Sequence, residues 1–309
     1  MAFLGALPAR FRRERILVVG CGDVGLRSAR FFGGGPAGSG ARGRVRLLAL
    51  SSSPARRDAL RAAGLTPLTG NLDDGNSLRR LAGLATRVLH LAPPPGQGED
   101  DPRSLALVRA LARGRLPRAL VYGSTSGVYG DCGGAWVGET RAVNPATPRA
   151  RRRVAAEAVL RGWGRSSGVP VSVLRIPGIY AADREGGPRE RLLRGAPVLR
   201  REEDVHTNHV HADDLARACV RALWRSPSQR LFNCCDDTEL AMGDYFDLAA
   251  DLYGLPRPER VSRAQARERL SPMTLSFMGE SRRLRNARLK RELGLVLRYP
   301  TVEQGLRAG

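Results

Sequence analysis

The sequence predicts an α/β fold, a doubly wound parallel sheet followed by a smaller C-terminal lobe, on three observations. Short apolar runs alternate with helical segments through the first half, a glycine-rich turn joins the first run to the first helix, and the alternation becomes irregular after residue 176. The chain has 309 residues, enough for one large domain or two ordinary ones at roughly 150 residues each. In order, RILVVG (15–20) reads as a strand and DVGLRSARFF (23–32) as the helix that follows it. GGGPAGSGARG (33–43) is too rich in glycine to pack and is expected to be a flexible connection. VRLLAL (45–50) restores a strand. A helix at about 54–63, a short strand at 66–68, a helix near 78–84, the strand RVLHLA (87–92), a helix at 104–113 and the strand RALVYGS (118–124) continue the pattern. Such alternation implies parallel strands joined by right-handed helical crossovers. VPVSVLRI (169–176) supplies one further central strand, and helical pieces such as HVHADDLARACVRALW and TELAMGDYFDLAADLYG follow between loops.

Composition narrows the function classes. With 42% hydrophobic and 26% charged residues the chain reads as globular, and no stretch approaches the ~18 uninterrupted apolar residues of a membrane span. The opening MAFLGALPARFRR places its charges after its apolar patch, the reverse of a secretory signal. Five cysteines, Cys21, Cys132, Cys219, Cys234 and Cys235, show no ligand spacing, and a cytoplasmic protein is expected. Fifty-one basic against thirty acidic residues give a net charge of +21. All the basic residues but Lys290 are arginine, spread along the chain, and aromatic residues are only 5%, so no platform for stacking bases is visible and no nucleic-acid partner is expected.

Gly20, Gly22 and Gly25 form G-x-G-x-x-G directly after a strand and at the start of a helix. The spacing suits a tight turn, close approach of backbone to a pyrophosphate and close packing of helix on strand, with the helix N-terminus facing the anion. A dinucleotide-binding Rossmann domain is therefore expected over 15–176, after an N-terminal extension (1–14). Residues 177–309 would form mainly a substrate lobe, with a strand near 229–234 returning to the main sheet. In the turn Gly20, Cys21, Gly22, Asp23, Val24 and Gly25 are candidate cofactor contacts. At the end of the second strand, where an NAD enzyme usually has an acid for the ribose, the chain reads Ser51, Ser52, Ser53, then Arg56 and Arg57. Hydroxyls and guanidinium groups suit a 2′-phosphate, so Ser51 and Arg56 predict NADP, with NAD as the alternative.

From RILVVGCGDVG through YGSTSGVYGD and Glu139 to LRIPGIY, HVHADDLA, RLFNCCDD and NARLKRELG, the chain resembles the NAD(P)-dependent epimerase/dehydratase branch of the short-chain dehydrogenase/reductase superfamily. The resemblance runs over about 15–305 and places Thr125 at the hydroxyl that touches a substrate oxygen. It implies a later segment P-x-x-x-Y-G-x-S-K-x-x-x-E, with a tyrosine proton donor and a lysine that holds the ribose. Pro145 and Glu157 fit that frame, but Arg149 stands at the tyrosine position and Arg153 at the lysine position. Arginine cannot release a proton at ordinary pH, so Arg149 is no general acid, whereas Arg153 retains the means to hold ribose or phosphate. Both this loss and the shortened glycine motif resemble the atypical subgroup that lacks the standard tetrad.

The cleft is expected at the carboxyl ends of the strands, where the glycine turn, Ala92 and Pro93, Ser124 and Thr125, and Pro177 converge. Tyr129 is the best remaining phenol for the proton, with Tyr180 second. His206, His209 and His211 match a segment entering a helix and are not read as metal ligands. Asp213 reads as a helix cap or a buried partner, Cys234 and Cys235 as core. The run Arg149–Arg153 is either a solvated helix face or an anion-binding edge of the cleft. The expected function is an NAD(P)-dependent oxidoreductase or epimerase-like enzyme acting on a hydroxyl or carbonyl group of a small molecule, as monomer or homodimer. The alternative is a non-catalytic NADP(H)-binding sensor or scaffold.

Overall fold

The computed structural model of the chain describes residues 13–32 and 45–308; the expected connection at 33–43 and nearly all of the N-terminal extension lie outside the described residues. Seven strands form one sheet: β1 (Glu14–Val19), β2 (Val45–Ser51), β3 (Thr66–Thr69), β4 (Arg87–His90), β5 (Leu120–Thr125), β6 (Val171–Ile176) and β7 (Arg230–Asn233). Their spatial order is β7-β6-β5-β4-β1-β2-β3, with every neighbouring pair parallel. This is the α/β Rossmann sheet that the alternation predicts. Between β1 and β4 the order reverses, so the connections leave to opposite sides and a crevice opens at the carboxyl ends there.

Period-two alternation sorts the strand residues between two cores. Leu17, Val19, Leu120 and Tyr122 face α2 (Pro102–Leu111) and α3 (Pro148–Ser167). Ile16, Leu89, Val121 and Leu174 face the opposite side, where α1 (Asp23–Phe32) and α4 (Ala212–Arg225) pack. Both helices of the first face begin on a cap followed by proline. The Asp101 side chain accepts from the N–H groups of Arg103 and Ser104, and Thr147 accepts from Ala150.

Two elements differ from expectation. Residues 75–81 form a 3-10 helix rather than the α-helix expected near 78–84; its buried residues, Leu78 and Leu81, are three apart, which matches three residues per turn. The fourth strand stops at His90 because the N–H groups of Leu91 and Ala92 both donate to Val19 O, turning the chain out of the sheet. After β6 the chain builds a third core around α5 (Met242–Tyr253), where Tyr245 and Phe246 meet Val198, Leu199, Val261 and Val302. Two strand pairs tie the carboxyl end of the sheet to this core. One joins Gly178–Tyr180 to His209–His211, the other His206–Thr207 to Leu240–Ala241.

Candidate functional site

The crevice at the switch point contains a cavity of about 300 Å³ walled by Gly20, Gly22, Asp23, Val24, Gly25, Ser124, Thr125, Arg153 and Pro177, together with Leu91, Gly123, Ile176, Ile179, Arg184 and Leu215. The three motif glycines have different physical reasons. Gly20 has φ +81°, and a Cβ on it would stand 2.3 Å from Ala92 N, so only glycine allows this turn to cross the end of β4. A Cβ on Gly25 would press on Val18 Cγ1 at 3.3 Å, where helix packs on strand, whereas one on Gly22 would meet nothing within 4 Å because it faces the open cleft. Of the other expected contacts, Cys21 is buried beneath the turn, its thiol pushed up to about 11 by burial. Arg56 arches over the turn and donates to Cys21 O at 2.7 Å, and Ser51 closes a local turn with Ser53. Ala92 abuts Gly20 but, like Cys21, Ser51, Arg56 and Pro93, lies outside the cavity wall.

Arg153 donates to Tyr122 Oη (2.9 Å) and Gly123 O (2.7 Å), which fixes its guanidinium against the end of β5 and inside the cavity. Beneath the same strand end lies a buried polar network. Ser124 Oγ donates to Glu157 Oε1 at 2.6 Å, and Arg175 donates to both Glu157 oxygens at 3.2 and 2.8 Å. Thr125 Oγ1 accepts from Gly127 N at 3.2 Å, so its own proton stays available to a ligand oxygen.

Neither phenol expected to handle the proton reaches this cleft. Tyr129 is 1% exposed, its hydroxyl donating to Asn233 Oδ1 at 2.8 Å and its ring lying beneath the Arg175 guanidinium. Burial raises its pKa, the nearby Arg175 only partly offsetting this. The 3-10 turn Ser126–Tyr129 explains the displacement, since it leaves Thr125 at the mouth of the cleft while carrying Tyr129 down into the core with Val128 and Val137. Tyr180 is equally enclosed, donating to Thr301 O at 3.2 Å.

Thr125, Pro177, Ile179 and Arg184 also wall a second cavity of about 470 Å³, so the two spaces adjoin. This second space lies between the sheet end and the C-terminal core and is lined by Arg149, Arg191, His206, His209, Tyr245, Phe246, Phe277, Glu280 and Arg282, among others. Burial drives the His209 pKa down to about 3, so its ring, stacked 3.9 Å from Tyr245, is neutral. Arg184 lies 3.3 Å from Asp23, and the buried Arg27 gathers Asp23, Asp183 and Asp213 at 2.8, 2.6 and 2.7 Å. These pairs bind the loop after residue 180 to the glycine turn. Asp213 is thus a half-buried partner of Arg27 rather than a cap, while His211 caps α4 by accepting from Asp213 N. Cys234 and Cys235 lie in the core.

Sequence reasoning had no signal for Arg191, Phe277, Glu280 or Arg282, which come from segments without a motif. Arg184 was equally silent, standing in a loop of glycine and charge. For Arg149 the sequence shows both the proton it cannot give and a run that is either a solvated helix face or an anion-binding edge.

The family described as NAD dependent epimerase/dehydratase matches residues 40–235. A functionally unknown conserved protein of Silicibacter pomeroyi DSS is 31% identical, the match covering 96% of this chain and 97% of that one with a TM-score of 0.78. The dTDP-glucose 4,6-dehydratase DesIV of Streptomyces venezuelae, with NAD and TYD bound, is 20% identical over 95% of each chain, TM-score 0.75. RMD of Pseudomonas aeruginosa, complexed with NADPH, is 20% identical over 96% of this chain and 97% of that one, TM-score 0.70. No curated protein matches the chain.

Proposed function

The chain belongs to the NAD dependent epimerase/dehydratase family, and on that premise we propose that it is an NAD(P)-dependent, epimerase-like oxidoreductase whose two adjoining cavities hold the dinucleotide and a small hydroxyl or carbonyl compound. The observation that carries this reading is that the glycine-turn cavity and the second cavity adjoin, with Thr125 and Arg184 lining both. The residues present fit the cofactor: an open Gly22 at the N-terminus of α1 for the pyrophosphate, and Arg153 fixed where the family's lysine would hold the ribose. When bound, a nicotinamide supplies the site for hydride exchange. NADP is the preferred form, because Ser51–Ser53 offer no ribose carboxylate and Arg56 crosses the turn beside them; NAD is the alternative. DesIV with NAD and RMD with NADPH illustrate both forms on this fold.

Thr125 donates its hydroxyl proton to the reacting oxygen, since its lone pair already serves Gly127 N. With Tyr129 and Tyr180 enclosed, the mobile proton passes to water or to a group of the second cavity. The competing reading, a non-catalytic NADP(H)-binding sensor or scaffold, draws on that same enclosure. Stoichiometric binding with no turnover on a broad panel of hydroxy and oxo compounds would favour it.

Among the described residues no helix is long and apolar enough to cross a membrane. Five free thiols support the cytoplasm, and we read the chain as a monomer or homodimer without a nucleic-acid partner. The test is titration with NADPH and NADH, followed by fluorescence. Gly22→Asp, which places its side chain in open space, should keep the fold and abolish binding; unchanged affinity in the folded variant would remove the turn from the cofactor site.

A further inference from the structure

The second cavity carries more positive charge and more unpaired polar atoms than the protein itself answers. Among the described residues Arg149 makes no ion pair and no hydrogen bond; its guanidinium lies 4.4 Å over the Phe277 ring, which holds its plane and leaves its N–H edge free. Arg149 is an exposed residue on the cavity lining; partial desolvation, then Arg153, Arg282 and Arg152, make its charge costly, and Glu280 partly offsets them. Glu280 is the only carboxylate lining this cavity among the described residues, and it is already held by Arg282 at 2.8 Å. Buried polar atoms without a partner gather on the same wall: Arg191 Nε, Arg282 Nε, His206 Nδ1, Thr207 Oγ1 and His209 Nδ1. Buried polar groups are nearly always satisfied, so these side chains carry donors and acceptors that the described residues leave unanswered.

Gly127 sets the spacing between the reacting oxygen and Glu280, the carboxylate that acts on Arg149. Thr125 Oγ1 and Glu280 Oε2 lie 3.6 and 3.9 Å from the point a Cβ on Gly127 would occupy, so the missing side chain leaves a gap between hydroxyl and carboxylate. A ligand oxygen seated on Thr125 would enter this gap, in a cavity that Arg149, Glu280 and Arg282 also line.

We propose that the substrate is an acid, with a carboxylate or phosphate ester close to the carbon that bears its reacting oxygen, and that Arg149 is the receptor for that anionic group. The proposal rests on the two-cavity reading above. The residue that removes the proton donor thereby installs an anion site in its place: a guanidinium lacks the proton chemistry of a phenol but offers a two-pronged, permanently charged donor edge.

The test needs no turnover. Protein saturated with whichever of NADPH or NADH it binds more tightly is titrated calorimetrically with inorganic phosphate in one arm and malonate in the other, at constant ionic strength set with chloride. Arg149→Gln should weaken the preferred anion by about 10- to 100-fold, the loss expected for a charge-assisted hydrogen bond. Arg149→Lys should fall between, and the exposed Arg80→Gln should match the parent. The arm with the tighter binding tells phosphate ester from carboxylate. Equal affinity of parent and Arg149→Gln, or no binding of either anion at millimolar concentration by protein that holds its nucleotide, overturns the proposal. If neither nucleotide binds, the functional reading falls instead, and the same parent-to-variant ratio measured on the bare protein still decides the anion site.

Discussion

The two cavities share a wall, yet they are built differently. The first is made of backbone and short side chains at the ends of consecutive strands, and Arg153, which reaches into it from α3, is fastened to the end of β5. The second is made of long charged and aromatic side chains from α3, the loop after β6, α5 and the segment 277–282, several of them with unanswered polar atoms. On the proposed reading, a common ligand would be met by a preformed cradle of main chain and a particular one by long side chains from several segments.

The contrast breaks most severely at the floor of the first cavity. Glu157→Gln would leave Arg175 as an uncompensated buried cation and weaken the Ser124 contact. A loss of about 3–5 kcal/mol in urea unfolding is expected; a loss below about 1 kcal/mol would show that the network is not what holds the strand end.

Asp236 is the corresponding weak point beside the C-terminal core. Burial raises its pKa from 3.8 to about 7, outweighing the hydrogen bond from Thr238 N, and its Oδ2 has no partner. Between those two values the folded protein holds more protons than the unfolded chain, so the contribution of Asp236 to stability is full near pH 4 and declines as pH rises to about 7. Asp236→Asn should therefore gain on the parent by roughly 1.4 kcal/mol for each pH unit across that window. Thermal midpoints of both proteins between pH 5 and pH 8, run as paired scans, check this; parallel curves would count against it.

Cofactor selectivity sharpens the account of the first cavity. Replacing Arg56 and Arg57 together with alanine should cost NADPH about 1.5–3 kcal/mol more than NADH, the amount of one charged hydrogen bond. Equal weakening of the two would return both arginines to the solvated surface.

The smallest effect is expected at Tyr129. Tyr129→Phe removes its bond to Asn233 and should destabilise the fold by about 1 kcal/mol without altering the pH profile of any turnover found. Disappearance of one limb of that profile would bring the phenol back into the chemistry.

Much of the first cavity was legible because its motif is local. Gly20, an open Gly22 and a packed Gly25 lie within six consecutive positions just after a strand, so the motif is read from its spacing even though Gly20 answers to Ala92 and Gly25 to Val18. Boundaries were less legible. The strand at 87–92 reads as apolar to its end, yet Val19 O, some seventy residues earlier, captures Leu91 and Ala92 and ends it.

The sequence by itself determined the parallel α/β order, the glycine turn, the hydroxyl at Thr125 and the absence of a phenol at 149, since periodicity, steric freedom and side-chain chemistry are properties of residues and their near neighbours. Only the tertiary structure decided that Tyr129 and Tyr180 are enclosed, that Asp213 serves Arg27, and that Arg149, Glu280 and Arg282 face one space. Those residues are brought together by the angle at which the C-terminal core packs on the end of the sheet. That angle is a sum over many contacts between distant segments, and no short stretch of chain carries it.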